Sequence, residues 1–243
     1  MRKAEAERLR TLNDLEDLHI VNLDAEQTAR LLALGFDRLT SLSLRSLRAS
    51  DLGVLRSFPK LKHLEVWQSA NVTSLEGIQH LSGLRWLSLS ELGTLPSLEP
   101  LAQLSGLTEL YLTGGVWKDQ KLMGDFAPLA ELVNLRRLTI TNVRGPVNLA
   151  PLLEFEKLEH LFLATALFRV REVARIAARY EFFRRERPWL HPFDDRDGCP
   201  TCRSRRVPLL LQRTKRIFCE RCDAGRLNRT LEDFEKVIRE VAD

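Results

Sequence analysis

Four cysteines are the residues of this 243-residue chain best suited to chemistry. They stand as Cys199-Pro200-Thr201-Cys202 and, after sixteen intervening residues, Cys219-Glu220-Arg221-Cys222. Two residues between paired cysteines allow a tight turn in which both sulfurs reach one ion. Two such pairs supply the four thiolates of a closed tetrahedral site, and that spacing falls in the range of four-cysteine zinc sites. Four thiolates leave no position for water, so Zn2+ held there is structural and not catalytic. Binding free energy of roughly 10–16 kcal/mol at such sites replaces the core that a short segment lacks. The alternatives are two disulfides or a redox-active Cys-x-x-Cys pair, although four cysteines are few for a disulfide scaffold of this length. His191 lies eight residues before Cys199. A site already saturated by sulfur has no use for it as a fifth ligand.

The segment around the cysteines is basic. Residues 203–229 hold nine Lys or Arg against two acidic side chains. Arg203, Arg205, Arg206, Arg213, Lys215 and Arg216 lie between the two cysteine pairs. Two uses follow for them. They neutralise the charge of about −2 on a zinc–thiolate centre, or they grip the phosphates of a nucleic acid. Phe218 is the one aromatic there that could stack on a base, which makes nucleic acid the second choice. Elsewhere the chain has no glycine-rich phosphate loop and no nucleophile elbow. Its histidines, His19, His63, His80, His160 and His191, form no recognisable arrangement with serine or cysteine. The expectation is a protein that is not an enzyme and has no small-molecule substrate.

The elements that must position these groups are written in the leucines. Of 47 leucines, 41 precede residue 168. The spacing L-x-x-L-x-L, with Val or Ile sometimes last, recurs seven times, at Leu15, Leu39, Leu61, Leu84, Leu107, Leu135 and Leu158. The intervals are 24, 22, 23, 23, 28 and 23 residues. Between these motifs apolar residues fall three apart, as in Leu75/Ile78/Leu81, Leu98/Leu101/Leu104 and Phe126/Leu129/Leu132. Period two predicts a short strand and period three a helical or 3₁₀ turn. One such unit cannot bury its own leucines. Stacked units pair their strands in a parallel sheet and fill a continuous interior, each buried leucine contributing roughly 1.5–3 kcal/mol.

Residues 12–167 resemble the short bacterial leucine-rich-repeat proteins, including the repeat regions of internalins. The resemblance implies an α/β solenoid with a parallel sheet on its concave face and short helical or 3₁₀ turns on its convex face. It also implies a module that binds another protein. The family often places Asn nine positions into each repeat to bridge adjacent coils. Here that column reads Leu23, Leu47, Ser69, Leu92, Gly115, Val143, Ala166, so no asparagine ladder forms.

If the second and third leucines of each motif point inward, the residues between and beside them face out. This predicts an open face carrying Trp67, Trp86 and Tyr111 in three successive repeats, with His63, Glu65, Glu109 and Arg137 around them. Exposed aromatics rimmed by charge suit recognition of a partner protein. An inhibitor or immunity protein that masks a partner enzyme is one such setting. The long interval adds residues near Trp117, on a loop that either extends the face or folds back.

From Phe168 the leucine pattern stops. Val173, Ile176, Ala177, Tyr180 and a phenylalanine at 182 or 183 predict one helix over about 168–186, with Pro188 ending it. Residues 197–224 resemble a zinc ribbon, two cysteine turns joined by a hairpin with strands at 207–212 and 216–218. Thr230 is a candidate N-cap for a last helix. The expected organisation is a solenoid at 1–167, a capping helix and connector at 168–193, and the ribbon with a C-terminal helix at 194–243.

Apolar residues make up 44% of the chain and charged residues 29%, at a net charge of +4. This is the composition of an ordered globular protein. Residues 168–243 carry net +6 and residues 1–167 net −2. No run of eighteen apolar residues occurs and the first eighteen residues are charged, so neither a membrane span nor a secretory signal is expected, and the expected location is the cytoplasm.

Overall fold

The computed structural model describes residues 15–242, apart from 34–35, 57, 116–118, 123, 146–147, 165–167, 191–197 and 212–213. The chain divides into two compact units, Met1–Pro146 with Glu154–Glu159, and Val147–Leu153 with His160–Asp243.

In chain order the first unit holds β1 (Asp17–Val21), helix α1 (Ala25–Leu32), β2 (Ser41–Arg45), β3 (His63–Trp67), β4 (Trp86–Ser90) and β5 (Glu109–Thr113). It continues with β6 (Gln120–Lys121), β7 (Arg137–Thr141) and β8 (Val143–Arg144). The six long strands come from the first six leucine motifs. They pair parallel in sequence order, and the motif positions stay aligned throughout: Leu42, Leu64, Leu87, Leu110 and Leu138 form one row. All five are buried. This is a leucine-rich-repeat solenoid.

The three-residue spacing between strands is also the hydrogen-bonding interval. Ile78, Leu81 and Leu84 each donate a backbone N–H to the apolar residue three before it, at 3.0–3.1 Å. Leu101, Leu104 and Leu107 repeat the pattern at 2.8–2.9 Å. These 3₁₀ turns aim every third side chain inward. The first repeat departs from this and makes a true helix, α1, where Asp24 and Gln27 form a capping box. Its Glu26–Arg30 pair one turn apart adds support.

β1, β2, β3, β4 and β7 each lead into a residue in the left-handed region: Asn22, Ser46, Gln68, Glu91 and Asn142 have φ between 50° and 59°. There the chain leaves the sheet and still donates one more bond to the next coil, as in Ser46 N to Trp67 O at 3.0 Å and Glu91 N to Thr113 O at 3.0 Å. In the long repeat this position is Gly114, where a Cβ would stand 2.0 Å from the Asn142 carbonyl oxygen of the next coil. No side chain fits there.

The second unit holds β9 (His160–Leu163), α2 (Val170–Arg179), α3 (Glu181–Glu186), β10 (Arg206–Leu211), β11 (Thr214–Cys219) and α4 (Ala224–Ala242). β9 is the strand of the seventh leucine motif. The single helix expected over 168–186 is broken in two at Tyr180, whose backbone is extended (φ −117°, ψ 104°). The break lets the buried Tyr180 hydroxyl donate to the Leu152 carbonyl at 2.7 Å, while Arg179 Nε donates to the Leu153 carbonyl at 3.1 Å. These bonds fix α2 on the turn of the last repeat. β10 and β11 form an antiparallel hairpin; β10 is shifted by one residue from the expected strand, and β11 has six residues where three were expected. The last helix begins at Ala224, six residues before Thr230. Thr230 lies inside it, its hydroxyl donating to the Arg226 carbonyl at 2.9 Å. Trp189 is buried against Phe183 and, edge-on at 4.9 Å, Phe234 of α4.

Candidate functional site

The strand registers decide what the sheet of the first unit presents. His63 aligns with Trp86, Trp86 with Glu109, and Glu109 with Arg137. Tyr111 sits two residues along its strand, diagonal to Trp86. The His63 and Trp86 rings lie 6.5 Å apart and the Trp86 and Tyr111 rings 5.5 Å, tilted at 48° and 44°. Such tilts suit the ring quadrupoles better than face-to-face stacking. His63, Trp86 and Tyr111 therefore form one continuous patch, His63 exposed and the other two half-buried.

Trp67 is not in that patch. It occupies the last position of β3, aligned with Ser90, while Trp86 occupies the first position of β4. Four strand residues separate the two positions, about 13 Å at a rise of about 3.3 Å per residue. Trp67 instead lies under Arg45, whose guanidinium carbon is 4.3 Å from the ring centre, a cation–π contact. Arg45 sits beside Trp67 in register, so the spacing of the repeats itself aligns the two.

The charged neighbours are tied down. Glu109 accepts from the Tyr111 hydroxyl at 2.9 Å and from Arg137 at 3.3 Å. Tyr111 first, and then the Glu109 carboxylate, hold the Arg137 guanidinium above its usual pKa. Glu65 accepts from the Ser43 hydroxyl at 2.8 Å. Both carboxylates are thus held in place, and Glu109 is partly neutralised by Arg137. Trp117 falls outside the described residues.

The four cysteines converge. All four Sγ atoms lie within 4.8 Å of one another. Individual separations are 3.9 Å for Cys199–Cys222, 3.4 Å for Cys202–Cys219 and 3.3 Å for Cys202–Cys222. A tetrahedron with metal–sulfur bonds of about 2.3 Å has edges of about 3.8 Å, so the quartet is close to the size that a zinc-like ion needs. All four are free thiols and not disulfides. The turn at Gly198–Arg203 closes by Arg203 N donating to the Cys199 carbonyl and Cys199 N to the Ser204 carbonyl, both 2.8 Å. In the second turn Cys222 N donates to Cys219 Sγ at 3.3 Å, and Cys219 N to the Asp223 carboxylate at 2.9 Å.

These donors sort the thiols. The Ser204 hydroxyl and N–H hold Cys202 down at about 6. The N–H groups of Cys202 and Thr201 lower Cys199. Cys222, which donates its S–H to the sulfurs of Cys202 and Cys219, is pushed up to about 12. Crowding of negative charge on one side of a thiol cluster is what a bound cation relieves. His191 falls outside the described residues.

Among the described residues, several basic side chains of this segment are already engaged. Arg205 lies 3.9 Å from Glu220, and Arg203 and Arg206 also have partners. Arg216 is exposed and borders a hollow of about 280 Å³ together with Leu209, Leu211 and Asp233. Arg213 and the side chain of Lys215 lie outside the described residues.

The chain is similar to internalins. One solved structure, internalin C2 of Listeria monocytogenes, is 27% identical, with 63% of this chain and 63% of that one covered and a TM-score of 0.48. A second internalin of the same organism is 20% identical over 64% of this chain and 49% of its own, at a TM-score of 0.43. A leucine-rich-repeat protein of Leptospira interrogans is 20% identical over 65% and 45%, at 0.44. The chain thus spans less than two thirds of each of these chains. No family model and no curated protein matches it. Among the described residues, no helix is long and apolar enough to cross a membrane.

Two polar residues that hold the coils together were not legible as a pair. Ser69 stands in the column where the family carries Asn. Its hydroxyl oxygen accepts from Leu47 N at 3.0 Å and the hydroxyl donates to the Trp67 carbonyl at 3.0 Å. Two coils on, Gln120 does the same work from inside the long repeat. Its Oε1 accepts from Leu92 N at 2.8 Å, and its Nε2 donates to the Gly93 and Lys121 carbonyls. Gln120 lies five residues after the Asn column, and that displacement is what the extra residues permit.

Proposed function

We propose that the chain is a protein-binding module whose outward sheet face recognises a partner protein. The observation that carries the reading is the continuous His63–Trp86–Tyr111 patch on a rigid, register-locked sheet. Aromatic rings held at fixed tilt lose little entropy on binding, and a half-buried tryptophan beside a tethered Glu–Arg pair is the usual make-up of an interface hot spot. Trp67 under Arg45 supplies a second, separate anchor. An inhibitor or immunity protein, which acts by covering a partner's surface, needs no more than such a face. The quartet of sulfurs holds Zn2+ in a structural role and ties β10, β11 and the start of α4 together.

The test is affinity capture from the native host with the full chain and with a Trp86→Ala, Tyr111→Ala double variant, followed by mass spectrometry. The expected result is one or a few proteins retained by the unaltered chain and lost from the variant. Identical retained sets would overturn the reading. Retention of RNA or DNA that is released at moderate salt, in place of protein, would turn it toward nucleic acid.

A further inference from the structure

We infer that the face takes an acidic segment of its protein partner, with apolar side chains on the ring patch and carboxylates on a row of cations that borders it. This rests on the protein-binding reading above and adds the chemistry of the partner.

The row lies one residue before the rings. Lys62 N donates to the Thr40 carbonyl, Arg85 N to Lys62, Thr108 N to Arg85 and Arg136 N to Thr108, each at 2.8 Å. Thr40 N donates to Glu16 and Glu159 N to Arg136 in the same way, so Glu16, Thr40, Lys62, Arg85, Thr108, Arg136 and Glu159 are one register position across successive coils, spaced by about 4.8 Å, with the cations in its middle and each terminal glutamate paired with an arginine. Lys62, Arg85 and Arg136 are exposed, as is Lys60 two residues before Lys62. The next residues, His63, Trp86 and Arg137, open β3, β4 and β7, so the row runs along the end of the strands beside the rings.

These cations are available. Among the described residues neither Lys60 nor Lys62 forms an ion pair, and Arg85 donates to a backbone carbonyl, that of Gly106 at 2.7 Å, with no carboxylate partner. Arg136 pairs with Glu159, with both side chains more than half exposed, a geometry that contributes little and leaves the arginine free to exchange partners. The carboxylates of the face are the opposite case: Glu109 is held by Tyr111 and Arg137, and Glu65 by Ser43. The row is also not a by-product of a basic composition, because residues 1–167 as a whole carry net −2. The positive charge has been placed at this edge.

A single-stranded nucleic acid carries a charge at every unit. Lying on the rings, it would bring phosphates against Glu65 and Glu109 as well as against the cations. A polypeptide can put its carboxylates on one side only and its apolar groups on the other. The one-sided distribution here favours the polypeptide.

The experiment is selection of a displayed library of random peptides of about twelve residues on the full chain, with Lys62→Glu, Arg85→Glu and Trp86→Ala proteins alongside. All three substitutions sit at exposed or half-buried outward positions. The expected winners carry net negative charge and at least one aromatic or large aliphatic residue. As synthetic peptides they bind the Lys62→Glu, Arg85→Glu double variant at least about tenfold more weakly, and they weaken as salt is raised from about 0.05 to 0.3 M. Winners that are neutral or basic, or that bind the charge-reversal variant equally well, overturn the inference. If those winners still depend on Trp86, the protein-binding reading survives alone. If no winner depends on Trp86, both fall. Tighter binding of a labelled oligothymidine than of any selected peptide, lost in the same double variant, overturns the inference in favour of nucleic acid.

Discussion

Removing the side chain of Gln120 should loosen the solenoid at its long repeat. Gln120 and Leu92 are each only 5% exposed. Leu92 N–H has the Gln120 Oε1 as its partner at 2.8 Å, and the amide nitrogen bonds the Gly93 carbonyl. Gln120→Ala deletes these bonds, together with the one to the Lys121 carbonyl, and leaves a buried N–H with nothing to donate to. An orphaned buried donor costs about 1–3 kcal/mol, and each intact bond contributes about 1 kcal/mol net. The expected loss is about 2–3 kcal/mol, or about 4–12 °C in Tm for a chain of this size. Gln120→Glu keeps the acceptor for Leu92 but turns a charged oxygen toward two carbonyls, so it should not rescue. Lys121→Ala, one residue on and exposed, is the control and should stay within about 0.5 kcal/mol. Urea unfolding followed by circular dichroism reads the stability, and amide exchange at Leu92 reads the bond itself. A Gln120→Ala protein as stable as the Lys121→Ala control, with Leu92 still protected, would refute the view that a displaced glutamine replaces the missing ladder at this coil.

Three further outcomes are expected. Tyr180→Phe removes the donor to the buried Leu152 carbonyl and should destabilise the second unit by about 1–2 kcal/mol; unchanged urea unfolding would show that the break between α2 and α3 has another cause. Cys202→Ser should lower the proposed zinc content, measured by elemental mass spectrometry, from one ion per chain to well below one. It should also lose the order of the β10–β11 hairpin while the strands of the first unit keep theirs, as seen by amide exchange. The pH dependence follows from the lowered thiols. Cys202 and Cys199 are depressed, so they are thiolates above their folded pKa values and gain protons as pH falls through them. Protons and the ion compete for the same four sulfurs, so metal should stay bound at pH 7 and be released as the pH falls into the acid range; metal content that is unchanged on desalting across a series down to about pH 4, or that is already lost at pH 7, would contradict this.

How much of this was legible depended on whether a feature is periodic. Leu64, Leu87 and Leu110 announce strands because the same spacing returns every turn of the coil, and a wrong register would bury polar residues in every repeat at once. The cysteine quartet is legible because two Cys-x-x-Cys turns at this separation have few other uses. Single events are harder. Nothing in the helical pattern of residues 168–186 says that Tyr180 leaves the helix, because the reason is a carbonyl at Leu152, distant in sequence. Thr230 has the chemistry of an N-cap, yet the second cysteine turn already launches the helix at Ala224, and the local preference is overruled. Trp67 and Trp86 look like one patch by residue type, and only their places at opposite ends of neighbouring strands separate them.

The long repeat shows how the face survives an insertion. Five extra residues between β5 and β7 would be expected to disturb the sheet, yet Glu109 still aligns with Arg137 and Tyr111 with Thr139. The added length is taken up beside the sheet. β6 pairs with β8, Leu95 N donates to the Lys121 carbonyl, and Leu122 N donates to that of Arg144. Arg144 also reaches Asp119 at 2.9 Å. The insert thus supplies its own ladder and, through Gln120, repairs the coil contact that the column lacks at Leu92. Because its backbone needs are met there, the insert makes no demand on the sheet. The Tyr111–Glu109–Arg137 network then spans the junction as if the repeats were equal in length. A sheet face that crosses the longest repeat without a break in register is held by the geometry of the strands, while the irregularity is free to vary at its side.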